Sequence, residues 1–149
     1  MKRQVVKGLT MFVMMVTVGL ATAVISANAQ SQRRLVTNVP FEFVIGDKAL
    51  PAGEYVSTSG SAVLVIQGSE NKETALRLTN SITSRSNKSE PRLVFHRYGQ
   101  TYFLAEVWSG GDEQGRQLLP SKQERQMKRE ISRIAKSNYE TIELVATLR

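Results

Sequence analysis

The sequence predicts an all-β domain, a sandwich or small barrel of about seven strands, with one amphipathic α-helix near the C-terminus before a final strand. Two observations support this fold, and a third limits its chemistry. Short segments rich in Val, Ile, Phe, Tyr and Thr recur along the chain and are separated by Gly, Asn, Asp, Ser and Pro, which is typical of all-β proteins. A helix-capping signal followed by an apolar stripe of helical period occurs near the C-terminus. The 149 residues include no cysteine, which excludes disulfides, thiolate nucleophiles and thiolate metal sites.

Residues 1–29 are predicted to be a secretory signal peptide. A basic start is followed by an uncharged apolar stretch from Leu9 to Ile25 and by the small-x-small sequence Ala27-Asn28-Ala29. Cleavage after Ala29 would leave residues 30–149 as a single exported β-rich domain, periplasmic or extracellular, with no stable transmembrane span. The alternative is an uncleaved N-terminal anchor, because the 17-residue apolar stretch is close to the shortest that crosses a bilayer.

Removal of this leader lowers the positive charge of the protein. The whole chain has a formal net charge of +7, but three of its 20 basic residues and none of its 13 acidic residues lie in the leader, which leaves +4. Nucleic-acid binding domains usually carry a more concentrated positive charge, and an exported protein rarely meets nucleic acid. The sequence therefore predicts no nucleic-acid partner, and it sets no oligomeric state.

Four strands are predicted in the first half of the domain. In Val39–Ile45 alternate residues are apolar, which indicates one buried face. Leu50-Pro51-Ala52-Gly53 has the composition of a turn and precedes a strand at Glu54–Val56. The segment Ala62–Gln67 is apolar almost throughout, so both of its faces are expected to be covered. Thr74–Thr83 alternates again and is the fourth strand.

A hairpin is predicted at Arg92–Tyr98 and Thr101–Trp108, joined by Gly99-Gln100. Glycine at the first of two loop positions suits a type II′ turn. This loop places Arg97 opposite Tyr102 as a cation–π pair. One face would then carry Val94, His96, Tyr98, Phe103, Ala105 and Val107, and the other would carry Leu93, Phe95, Arg97, Tyr102, Leu104, Glu106 and Trp108. Because neither face is fully polar, the hairpin is expected to be central and covered on both sides.

The helix is predicted at about residues 121–136. Gly110 to Gly115 forms a connector before it, and Ser121 with Glu124 has the spacing of a capping box. An apolar stripe follows at Met127, Ile131 and Ile134. The opposite side of the helix carries five cations, Lys122, Arg125, Arg129, Arg133 and Lys136. Beyond the helix, Thr141–Leu148 returns to β-prone residues and is expected to close the sheet.

Three segments together resemble a family of small secreted bacterial proteins. They are VPFEFVIGDKALPAGEY (Val39 to Tyr55), LVFHRYGQTYFLAEVW (Leu93 to Trp108) and GRQLLPSKQER (Gly115 to Arg125). The LPAG-x-Y turn and the FHRYG-x-x-YFL hairpin are their most specific parts. The resemblance covers most of the mature chain and implies export and a compact β domain with a helical tail piece. It implies no catalytic residue.

His96 is the only imidazole in the chain, which argues against a transition-metal site. No Gly-x-Ser-x-Gly motif accompanies it, so a Ser-His-Asp triad has no support from sequence. We therefore expect His96 to pack across the hairpin on Phe103, with a hydrogen-bond partner. No metal and no cofactor is predicted.

Five side chains of the hairpin are the candidates for ligand binding, because they combine aromatic rings with charge: His96, Arg97, Tyr102, Glu106 and Trp108. Glu106, predicted to lie opposite Leu93, could instead act with a second carboxylate in a secreted hydrolase. A salt bridge between Glu106 and a neighbouring arginine is the other interpretation.

The function predicted from these features is that of an exported, non-enzymatic β domain, a binding or envelope-associated structural module. The cations of the helix suggest an anionic envelope lipid or polysaccharide as its partner. Two alternatives stay open. One is the hydrolase built around Glu106, and the other is a small barrel that carries an apolar ligand between Ala62–Gln67 and Leu93–Trp108.

Overall fold

A computed structural model describes residues 33–60, 62–83, 89–111, 114–134 and 139–149. Within these ranges the chain forms eleven strands and one helix. In chain order these are β1 (Arg33–Val39), β2 (Phe43–Ile45), β3 (Lys48–Leu50), β4 (Gly53–Ser59), β5 (Val63–Gly68), β6 (Thr74–Thr83), β7 (Arg92–Tyr98), β8 (Thr101–Trp108), β9 (Gln114–Leu118), α1 (Lys122–Ile134), β10 (Glu140–Val145) and β11 (Thr147–Leu148). The predicted signal peptide lies outside the described residues.

The strands form one sheet in the order β10-β7-β8-β9-β6-β5-β4-β1-β11, with antiparallel neighbours throughout. Strand β2 runs parallel to the start of β8 and pairs with β3 on its other side. The two end strands of this order, β10 and β11, are separated in the chain only by Ala146. The sheet therefore bends until its ends meet in one continuous segment. For the described part of the chain, the predicted all-β class with a single C-terminal helix is confirmed.

Nine of the strands contribute to one hydrophobic cluster inside the bend. Leu35 of β1, Phe43 of β2, Tyr55 of β4, Leu64 of β5 and Phe95 of β7 are each at most 1% exposed. Burial of each large apolar side chain stabilises the fold by about 1.5–3 kcal/mol. Apolar packing from opposite parts of the sheet thus holds together a domain that has no disulfide.

The strand count is higher than the predicted seven, partly because two predicted strands are divided. The predicted final strand, Thr141–Leu148, is interrupted at Ala146 between β10 and β11. Val39–Ile45 was expected to be continuous, but β1 ends at Val39 and β2 begins at Phe43. Pro40 has no backbone amide to donate, so pairing with β4 cannot continue through it. The sequence prediction also missed most of β1, and it missed β3 and β9. Strand β9 begins within the predicted connector.

The LPAG-x-Y segment is held by its own tyrosine. The buried hydroxyl of Tyr55 donates to the carbonyl of Pro51 at 2.6 Å, and Asn71 Nδ2 donates to that hydroxyl at 3.2 Å. The tyrosine ring lies in the core against Phe43, with centroids 5.1 Å apart. One side chain thus fixes the turn and fills the core, which explains the spacing of this motif.

The predicted hairpin turn is confirmed. Gly99 has a positive φ of +63°, whereas Gln100 does not have a positive φ; this is the sign pattern of a type II′ turn. Arg97 pairs with Tyr102, and His96 pairs with Phe103, as expected.

The predicted faces of the hairpin are wrong beyond Leu104. A β-bulge follows there, since Phe95 pairs with Leu104 but Val94 pairs with Glu106. Ala105 is the extra residue, and every later side chain changes face. Val107 therefore joins the core, while Glu106 lies opposite Val94 and not opposite Leu93.

One side of β5 and β6 is less covered than predicted. Leu64 and Ile66 are fully buried, but Val63 and Val65 are only half-buried. Two exposed leucines of β6 lie beside them: Leu78 pairs with Val63, and Leu76 pairs with Val65. The outer surface of this part of the sheet therefore carries an exposed aliphatic patch.

The helix α1 begins where the capping box predicts. Ser121 Oγ accepts a hydrogen bond from the amide of Glu124 at 3.1 Å. Met127 and Ile131 of the predicted stripe pack against a small cluster that includes Tyr98 and Phe103 of the hairpin. The helix thus covers the outer face of the hairpin, as the apolar residues on both hairpin faces require. No helix in the described ranges combines the length and apolar character needed to cross a membrane.

Candidate functional site

The predicted cationic side of α1 lies on the surface. Lys122, Arg125, Arg129 and Arg133 are all exposed, whereas Lys136 lies outside the described residues. Within the described part of the chain, no carboxylate lies within salt-bridge distance of these four cations. We call these four residues the basic face. Because they repel one another at helical spacing, an external anion would relieve an unfavourable interaction.

The opposite side of the helix fixes the orientation of the basic face. Glu124, Met127 and Ile131 follow at intervals of three and four residues and so share one side of α1. Glu124 is only 6% exposed, and the other two pack on the hairpin. This buried stripe leaves the basic face toward solvent.

A polar contact lies under the helix, where Glu124 meets two aromatic residues of β7. The Nδ1 atom of His96 lies 3.2 Å from Glu124 Oε1, and the Tyr98 hydroxyl donates to the same oxygen at 3.5 Å. Tyr139 covers His96 from outside, with ring centroids 4.2 Å apart. Burial and the negative charge of Glu124 raise the pKa of Tyr98 from 10.0 to about 12. We call His96, Tyr98 and Glu124 the polar cluster.

The structure confirms that His96 lies across the hairpin from Phe103, and the polar cluster identifies the hydrogen-bond partner that the sequence analysis left unnamed. His96 pairs with Phe103, as predicted, and its hydrogen-bond partner is Glu124. Sequence reasoning treated Glu124 only as a capping residue. Its position three residues before Met127, on the same side of the helix as the apolar stripe, was the signal that it faces the sheet.

Arg97 and Tyr102 form the predicted cation–π pair, with the guanidinium carbon 5.5 Å from the ring centroid. Arg97 also donates to Glu140 at 3.2 Å. On its other side the Tyr102 ring stacks on Phe41, with centroids 3.9 Å apart. Both side chains thus have intramolecular partners that hold them at the edge of the core.

Glu106 and Trp108 bind each other. Trp108 is buried, and its indole Nε1 donates to Glu106 Oε2 at 2.9 Å. The guanidinium of Arg92 lies 4.9 Å from the Trp108 ring centroid. His96 does not contact Glu106 and instead binds Glu124 on the helix. These contacts give the hydrolase hypothesis around Glu106 no support.

The structure therefore does not bring the five candidate ligand-binding residues together. By strand alternation and the bulge, His96, Glu106 and Trp108 share the outer face of the hairpin, whereas Arg97 and Tyr102 belong to the other face. Each takes part in a contact within the domain. These contacts indicate that the five residues hold the strands and the helix in position.

A groove that sequence reasoning missed lies between β6 and the start of α1. It is open to solvent and has a volume of about 550 Å³. Its apolar wall includes Leu76, Leu78 and Leu119, and two cations of the basic face, Lys122 and Arg125, form part of its border. We call this the leucine groove. The alternation of Leu76 and Leu78 was visible in the sequence, but it did not reveal that this side of β6 faces solvent.

The described residues contain no group of three or more His, Asp or Glu side chains that could hold a metal ion. Comparisons with protein-family models, with curated proteins and with solved structures found no match to this chain. The candidate site thus rests on the basic face and on the leucine groove beside it.

Proposed function

We propose that the protein is an exported, non-enzymatic binding module of the cell envelope, and that the basic face of α1 binds an anionic surface there. The observation that carries this proposal is the orientation of the helix. Its buried stripe directs four exposed cations to one side, and no described carboxylate neutralises them. A surface of like charges on a helix packed against the sheet attracts anions and increases their rate of association.

Export is part of this proposal and rests on the leader. Mass spectrometry of protein recovered from an export-competent bacterial host tests it, with a mature N-terminus at Gln30 as the expected result. Material that retains Met1 would contradict cleavage.

Binding is tested with residues 30–149 and lipid vesicles. We expect the protein to cosediment with vesicles containing phosphatidylglycerol, and the affinity to fall as salt increases, because exposed charges are screened over about 10 Å at 0.1 M salt. Vesicles of phosphatidylcholine alone should not bind it. A parallel arm with polygalacturonate distinguishes an acidic polysaccharide from a lipid.

A charge-matched pair of variants locates the surface. Arg125→Gln/Arg129→Gln/Arg133→Gln removes three cations of the basic face. Arg34→Gln/Lys72→Gln/Arg149→Gln removes three exposed cations elsewhere and has the same net charge. We expect the first variant to lose most of its binding and the second to retain it. Equal losses would show that net charge alone acts, and retention by both would contradict the proposal.

A further inference from the structure

The leucine groove presents an apolar surface beside the basic face. Leu76, Leu78 and Leu119 are 61%, 65% and 60% exposed, although large aliphatic side chains are usually buried. The half-buried Val63 and Val65 extend this surface across β5. Contiguous exposed apolar patches on soluble domains mark sites of protein or membrane interaction.

The charged residues at the border of the groove favour an occupant with a negative charge. Arg77 is 3.6 Å from Asp47 and also donates to the carbonyl of Ile45, so its charge is engaged within the domain. Lys122 and Arg125 have no carboxylate within salt-bridge distance among the described residues. The groove therefore complements a molecule with an apolar part and a negative group.

Charge and composition also discriminate between occupants. A second copy of the chain, docked groove to groove, would place the cations of both copies together, which is unfavourable. Among the described residues that line it, none is an aromatic ring on which a sugar could stack, and the apolar wall is aliphatic. A volume of about 550 Å³ lies within the range of pockets that bind small organic molecules. These properties favour a hydrocarbon chain with an anionic head.

We infer that the leucine groove takes one acyl chain of an anionic membrane lipid while Lys122 and Arg125 bind its headgroup. This inference rests on the proposed envelope binding and selects lipid over polysaccharide. Electrostatic attraction would bring the basic face to the membrane, and the leucines would then add an apolar contribution that salt does not screen.

Leu76→Ser/Leu78→Ser tests the apolar contribution with vesicles of phosphatidylglycerol and phosphatidylcholine. We expect this variant to bind about tenfold more weakly at 0.15 M salt, because two exposed leucines lose their apolar contact. Its salt dependence should be unchanged. The matched control is Val145→Ser/Leu148→Ser, which removes two exposed aliphatic side chains at the C-terminal strands. Wild-type affinity in the groove variant would overturn the acyl-chain inference. Binding of the unmodified protein to polygalacturonate but not to vesicles would also overturn that inference, whereas binding to neither would overturn the proposed function itself.

A site-specific probe tests insertion directly. Because the chain has no cysteine, Leu78→Cys can carry a single polarity-sensitive fluorophore, with Thr141→Cys on β10 as the exposed control. Anionic vesicles with spin-labelled acyl chains should shift and quench the probe at position 78 and leave the control unchanged. Quenching by a monomeric spin-labelled fatty acid but not by vesicles would contradict the inference that the acyl chain belongs to a membrane lipid. A change in probe fluorescence only with an acidic amphipathic peptide would contradict lipid binding and indicate a protein partner.

Discussion

The carboxylate of Glu124 is buried where α1 meets the hairpin, although Glu130 on the same helix is exposed. A carboxylate loses hydration on burial and needs polar partners to compensate. His96 and Tyr98 supply them from β7. At the scale of single residues, this polar cluster fixes how the helix sits on the sheet, because the carboxylate would lose these partners if the helix slid or rotated.

Glu124→Ala should lower the free energy of unfolding by about 1–3 kcal/mol, because it leaves His96 and Tyr98 without their shared acceptor. Glu130→Ala is the matched control, with the same change at an exposed position of the same helix, and should change stability by less than about 0.5 kcal/mol. Urea unfolding at neutral pH measures both. Equal effects of the two substitutions would contradict a structural role for the polar cluster.

Tyr98 makes stability depend on alkaline pH. Its pKa is raised to about 12 in the fold, whereas an unfolded tyrosine titrates near 10.0. Well below pH 10 Tyr98 is neutral in both states, so its contribution to stability is fully present and does not vary with pH. Between pH 10 and 12 the unfolded state ionises first, so the contribution of Tyr98 to stability falls by about 1 kcal/mol at pH 11.

Tyr98→Phe should remove that part of the pH dependence. The stability difference between wild type and variant, measured in urea at pH 8 and pH 11, should change by about 1 kcal/mol in favour of the variant. A difference that stays constant would show that Tyr98 is not held in its neutral form.

At the scale of elements, the capping box of α1 is a reliable signal, whereas the alternation of side chains along β8 is reliable only in part. The capping box locates the start of α1 correctly, because a cap is made by residues three apart in the chain. The faces of β8 are predicted correctly only as far as Leu104. The bulge at Ala105 reverses which side chains of β8 face the core beyond that point. The sequence of β8 alone does not reveal the bulge, because a bulge depends on how two strands pair.

Ser121→Ala should destabilise the domain by about 1 kcal/mol, since the amide of Glu124 loses its acceptor at the N-terminus of the helix. Ser121→Asp keeps an acceptor there and should retain wild-type stability. Thermal or urea unfolding measures both variants. Destabilisation by aspartate equal to that by alanine would contradict the capping role.

At the scale of the whole described domain, the pairing of distant segments dominates. Leu35 of β1 pairs with Leu148 of β11, and β10 reaches back to β7, so the last residues complete pairing at both ends of the strand order. Such contacts require long loops to close before they contribute to stability. This topology predicts slow folding.

Refolding of residues 30–149 should therefore occur over milliseconds to seconds, as in β proteins with many non-local contacts. Stopped-flow fluorescence of Trp108, the only tryptophan and a buried one, follows this reaction. Complete folding within microseconds would show that local contacts dominate.

The sequence by itself determined the fold class, the hairpin turn with its pairing near the loop, and the capped helix with its basic side. These depend on the conformations of a few consecutive residues and on the alternation of apolar side chains. Only the tertiary structure decided that Glu124 faces His96, that Glu106 binds Trp108, and that Leu76 and Leu78 border an open groove beside Lys122 and Arg125. Each of these depends on which distant segment packs against a given face, and periodicity along one segment carries no information about that partner.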